Sequence, residues 1–186
     1  MTYDRKILYK NSKPPYWAYV LSALFLIGFI VALIIGRGFM MITNGAACVA
    51  CVIAVISWFK SGKGNQKEYK KKISQLGEDV LLEQVNNNCL LSKVKDDTAF
   101  FITDRYTFLA GSFLIETSDV AWFYVLPEGA ANLICVADKK GQFHSGKTAI
   151  LSLKAELEPK VHEVLPHALI GYSKETEKQY NKKYSS

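Results

Sequence analysis

Apolar and polar positions divide the 186-residue chain into three kinds of stretch. Near its start lie two runs of 21 residues, 16–36 and 39–59, with no charged side chain in either. At 1.5 Å rise per residue a helix of that length measures about 31 Å, close to a bilayer's hydrocarbon core, so the runs predict two transmembrane helices. The spacing then becomes helical and amphipathic. Tyr69, Ile73 and Leu76 share a face over 66–75, Gly77 interrupts, and 78–85 predicts a short helix with an acidic start suited to the helix dipole. From 98 to 147 the period drops to two. Runs 98–103, 106–110, 113–116, 119–126, 132–137 and 142–147 are rich in β-branched and aromatic residues, and turn residues separate them. Residues 90–94 supply one more strand. Beyond them, Leu153, Leu157, Val161, Val164 and Leu165 recur at helical spacing up to Pro166, and 173–184 reads as a charged, largely solvated helical tail. Short strands with tight connections predict an antiparallel meander closed by a C-terminal helix.

Charge changes this picture more than composition does. With 49% hydrophobic and 22% charged residues, the chain is neither collagen-like, nor disulfide-dense, nor wholly disordered. The formal charge is +6, but residues 73–186 are net negative and the excess lies beside the apolar runs. A nucleic-acid partner is therefore not expected. Arg5, Lys6, Lys10 and Lys13 precede the first run, Arg37 alone lies between the two, and Lys60, Lys63, Lys67, Lys70, Lys71 and Lys72 follow the second. Counted as positive-inside charges, these predict a multi-pass protein of the cell membrane with both termini in the cytoplasm. The six lysines are then expected against anionic lipid headgroups. Tyr16, Trp17, Tyr19, Trp58 and Phe59 suit the membrane interfaces. Gly28, Ala32 and Gly36, and Ala46, Ala50 and Ala54, form small-residue stripes that would let the helices pack. The expected organisation is a basic N-terminus (1–15), a transmembrane hairpin (16–59), a basic linker and helix (60–78), and a cytoplasmic domain (79–186).

Candidate chemistry is sparse. Residues 141–148 match G-x-x-x-x-G-K-[ST], in which Gly141 and Gly146 would let backbone N–H groups cradle phosphates, Lys147 would meet the terminal phosphate and Thr148 a magnesium ion. Asp138–Gly141 is itself a good hairpin turn, and too little chain follows to build a parallel sheet with crossover helices. A strand hairpin is therefore the expected reading. His144, His162 and His167 lack metal-ligand spacing, Cys89 and Cys135 read as reduced core thiols, and no nucleophile elbow is present. No cofactor, metal or catalytic residue is expected. Alternation sends Trp122 and Tyr124 to one face and Phe123 to the other, which makes Trp122 and Tyr124 candidates for contact with a protein partner.

The segment from Phe100 to Gly129, with ITDRY at 102–106 and DVAWFY at 119–124, resembles the strands of small bacterial membrane proteins with a pleckstrin-homology-like domain. PHALIGYSKE at 166–175 resembles a segment of one uncharacterised family that also carries two N-terminal spans. The resemblance implies an α+β chain: a two-helix transmembrane hairpin, then a PH-like antiparallel sheet or barrel with a C-terminal helix. It also implies a binding or scaffolding role, with no catalytic residues to transfer. The expected function is a membrane-anchored, non-catalytic adaptor whose PH-like domain binds a protein partner. The alternatives are a membrane-bound nucleotide-binding protein using 141–148, or a small accessory subunit of a membrane transport complex.

Overall fold

The computed structural model describes residues 2–10, 16–35, 38–95, 98–128, 131–148, 150 and 153–184. They form two compact units, Lys13–Gly64 on the one hand and Met1–Ser12 with Asn65–Ser186 on the other.

The first unit holds α1 (Tyr16–Ile35) and the beginning of α2 (Gly38–Leu76). The two helices meet at glycines. A Cβ on Gly28 would stand 3.4 Å from the Asn44 side chain, and one on Gly45 would stand 3.2 Å from the Phe29 ring. Ala46 and Ala50 of the second expected stripe are exposed. The side chains of Ala32, Gly36, Ala54 and the flanking aromatics Tyr16, Trp17, Tyr19, Trp58 and Phe59 lie outside the described ones.

Among the described residues no helix is long and apolar enough to cross a membrane. This overturns the two-span hairpin, and with it the bilayer as an integral partner and the multi-pass placement in the cell membrane. An uncharged run of the right length need not be an element by itself. The run 39–59 is only the first part of a 39-residue helix that continues through Lys60, Lys63, Lys67, Lys70, Lys71 and Lys72 to Leu76.

The second unit is built on two four-stranded sheets. β1 (Cys89–Lys95), β2 (Thr98–Thr103), β3 (Tyr106–Leu109) and β4 (Phe113–Glu116) form an antiparallel meander in chain order. β5 (Val120–Glu128), β6 (Ala131–Asp138), β7 (Phe143–Thr148) and β8 (Leu169–Ile170) lie in the order β7-β6-β5-β8. β8 runs parallel to β5, pairing with Trp122 and Phe123, so this sheet is mixed. Three helices complete the unit: α3 (Glu78–Asn87), α4 (Leu153–Val164) and α5 (Lys174–Tyr184).

Alternation along the strands explains how the layers assemble. Phe100 and Ile102 of β2 turn toward Phe123 and Val125 of β5 and Ile134 and Val136 of β6, and α4 closes this core with Leu153, Leu157 and Val161. Ala99 and Phe101 turn the other way. There, with Phe108 and Leu114, they meet Leu8 from the N-terminus, Tyr69 and Ile73 of α2, and Leu81 and Val85 of α3. On the outer face of the second sheet, Trp122, Tyr124, Cys135 and Ala137 are covered by Tyr180 of α5. Both faces of β2 and of most of β5 are thus buried, and each large apolar side chain so removed from water contributes about 1.5–3 kcal/mol. The charged tail is helical and largely solvated, as expected, except that Tyr180 is buried. Ser173 starts it, its Oγ accepting the Thr176 N–H at 3.1 Å while Thr176 Oγ1 accepts the Ser173 N–H at 2.9 Å. The α+β class stands, but as two sheets with covered outer faces rather than one sheet closed by a helix.

Candidate functional site

The two sheets approach each other along β4 and β7, which are edge strands. At one end they touch. A Cβ on Gly146 would lie 2.4 Å from Leu109 Cδ2 and 2.6 Å from Ser112 Cβ, so only glycine lets β7 come this close. Toward the other end they separate and leave a groove of about 500 Å³. Tyr106, Leu114, Ile115 and Glu116 form one wall; Asp119, Asp138, Lys140, Gln142 and His144 form the other; and Lys72, Gln75 and Leu76 of α2 lie across it.

The hairpin wall is held by Asp138, which is 5% exposed. Its Oδ1 accepts the N–H groups of Lys140 and Gln142, both at 2.9 Å, and its Oδ2 lies 3.2 Å from His144 Nε2. Its own N–H donates to the Gln142 carbonyl at 3.0 Å, and Gly141 takes the left-handed φ of +82° that the turn requires. Lys140 Nζ pairs with Asp119 at 2.7 Å, and that hydrogen bond holds the ammonium pKa above its ordinary value. Lys72 Nζ pairs with Glu68 at 3.0 Å. The Lys72 hydrogen bond, and then its charge, hold the Glu68 carboxyl below its usual range.

The other wall offers backbone. Lys72 Nζ also donates to the Leu114 carbonyl at 3.3 Å, from the side away from β3. In a strand the N–H and C=O of one residue point the same way, and the next residue's point opposite. The Thr117 N–H donates back to the Arg105 carbonyl at 2.8 Å. Leu114 and Glu116 therefore both turn their peptide groups toward the groove.

The sequence-predicted residues fall as follows. Gly141 is in the hairpin turn, while Gly146, Lys147 and Thr148 belong to extended β7, paired antiparallel with β6. Lys147 pairs with Glu128 at 3.2 Å, and Thr148 Oγ1 meets Thr98 Oγ1 at 2.7 Å between the sheets. A strand in a ladder cannot also curl around a phosphate, so these residues do not form that loop. Trp122 and Tyr124 are 1% and 7% exposed, which gives them to the core and corrects their assignment as partner contacts. Burial also raises the Tyr124 phenol pKa, and pushes the neighbouring Cys135 thiol up to about 11. Lys67, Lys70 and Lys71 are exposed on α2, the side chains of Lys60 and Lys63 lie outside the described ones, and of the four described lysines Lys72 lines the groove. Among the described residues no group of three or more His, Cys, Asp or Glu is placed to hold a metal.

Asp138, His144, Gln142 and Glu116 were not singled out from sequence as a site. The turn at 138–141 signalled the hairpin, but nothing local showed that it would face β4 from another sheet. No family model, no curated protein and no solved structure matches the chain. The resemblance to a two-span family with a PH-like domain is therefore not supported, and the fold is described as the two-sheet α+β arrangement above.

Proposed function

We propose that the chain is a non-catalytic adaptor, and that the unit formed by Met1–Ser12 and Asn65–Ser186 binds a partner protein in the groove between β4 and the β6–β7 hairpin. The observation that carries this reading is how the groove's charges are spent. Lys72 is paired with Glu68 and Lys140 with Asp119, while the His144 ring is hydrogen-bonded to Asp138. Each lysine lining the groove is thus neutralised by an acid beside it, while sheet-edge backbone and the apolar Leu76, Leu114 and Ile115 line the same space. Such a surface suits recognition by shape and hydrogen bonding.

Gln142 provides the test. Its side chain is exposed and lines the groove, while its backbone makes the turn. Peptides selected from a phage-displayed random library on the full chain should lose about tenfold or more in affinity for the groove-filling variant Gln142→Trp. Selected peptides that bind the variant as well as the parent would remove the groove from the function.

A further inference from the structure

We infer that the groove takes an extended segment of the partner, paired backbone to backbone with the open edge of β4, and that Lys72 guards that edge; this rests on the adaptor reading above. Three observations converge on such an occupant. β4 ends its sheet, and Leu114 and Glu116 present their peptide groups to the groove. From Leu114 to Glu116 the edge is three residues long, about 10 Å, enough for one short strand pairing. The lining lysines are already matched to acids, so beside side chains such as Glu116 and Gln142 the groove offers a ligand the backbone of its edge strand, which any extended segment can satisfy.

Lys72 occupies the place of the missing strand. Its ammonium donates to the Leu114 carbonyl, as a neighbouring N–H would, but at 3.3 Å, a long bond, while it holds Glu68 at 3.0 Å. Lysines on sheet edges discourage unwanted pairing. This one sits on a long flexible stem, with 37% of its side chain exposed and Glu68 available to hold it when it leaves the carbonyl. An incoming strand would take over the Leu114 carbonyl in place of the Lys72 ammonium.

Two substitutions act on the pairing in opposite directions. Glu116 is exposed, its φ of −68° is that of proline, and its N–H points away from β3. Glu116→Pro therefore removes one groove-facing donor and leaves the β3–β4 ladder whole. Lys72→Ala removes the guard. With the library-selected peptides as probes and calorimetric titration as readout, Glu116→Pro should weaken binding about three- to tenfold, and Lys72→Ala should tighten it severalfold. A selected peptide N-methylated residue by residue gives the same reading from the ligand's side, should Glu116→Pro fail to fold: affinity should fall at alternate positions, those whose N–H meets β4. Affinity unchanged by Glu116→Pro, Lys72→Ala and N-methylation, but lost in Gln142→Trp, would overturn strand pairing and leave the groove. Indifference to Gln142→Trp as well would overturn the adaptor reading itself.

Discussion

β5 and β4 each have a side that no long strand covers, and the chain finishes the two edges differently. At β5 the tail returns as β8, the Gly171 N–H donates to the Phe123 carbonyl at 2.9 Å, and Trp122 Nε1 donates to the Gly171 carbonyl at 2.8 Å. Where β8 stops, a side chain takes over, with Glu158 Oε1 accepting the Val125 N–H at 3.0 Å. At β4 one lysine reaches one carbonyl. Buried polar groups demand partners, and β5 lies under α4 and α5, so its edge has to be sealed by atoms that stay. β4 lines a groove, with Glu116 exposed and Leu114 buried, and one side chain reaches its edge. The contrast separates an edge finished for stability from one left available for contact.

Cutting the closed edge should be expensive. Trp122→Ala removes the aromatic that stacks on Tyr172, packs against Tyr124 and Tyr180, and ties Gly171. Urea unfolding should show a loss of about 3–5 kcal/mol. Glu158→Ala leaves the Val125 N–H without its acceptor and should cost about 1.5–3 kcal/mol, most of it recovered in Glu158→Gln, which keeps a carbonyl there. The matching cut at the open edge, Lys72→Ala, should leave stability within about 1 kcal/mol of the parent. A loss as large as that of Glu158→Ala would erase the distinction between the edges. Alkali sharpens the comparison with the smallest effect. Burial raises the phenol pKa of Tyr124, so the folded state holds that proton more tightly than the unfolded chain. Its contribution is whole below pH about 10 and lost as pH rises beyond it. Tyr124→Phe should therefore lose stability less steeply than the parent above that pH, and equal slopes would show that the phenol is not held as the packing implies.

Much of this architecture is legible in the residue pattern. Alternation located the seven longer strands to within two residues, because period two survives wherever turn residues such as those at 104–105 and 111–112 punctuate it. The α4 register of Leu153, Leu157 and Val161 is equally plain. What the pattern could not show is long-range. β8 is two residues long, too short for any period, and is a strand only because β5 has an edge to fill. Tyr180 looks like one aromatic in a charged helix, yet it is fully buried because Trp122 and Tyr124 lie beneath it. The apolar run 39–59 misled in the other direction, since its boundary with the lysines is a change of composition and not of structure. The groove was the least visible feature, for its walls come from α2, β4 and β7, and nothing local in any of them announces the others.

Gly146 fixes more than the approach of two strands. Because Gly146 lies against Leu109 and Ser112, the two sheets are in contact at that end, and a segment paired with the proposed edge from Leu114 to Glu116 would be short. A contact so short contributes few hydrogen bonds, and affinity differences between such contacts reside mainly in how fast they let go. A protein that recognises its partners this way exchanges them readily, and which segment it holds at a given moment follows the local abundance of segments as much as their fit. Where a longer hold is needed, it would come from several such contacts made at once, each brief, the assembly persisting because they seldom release together.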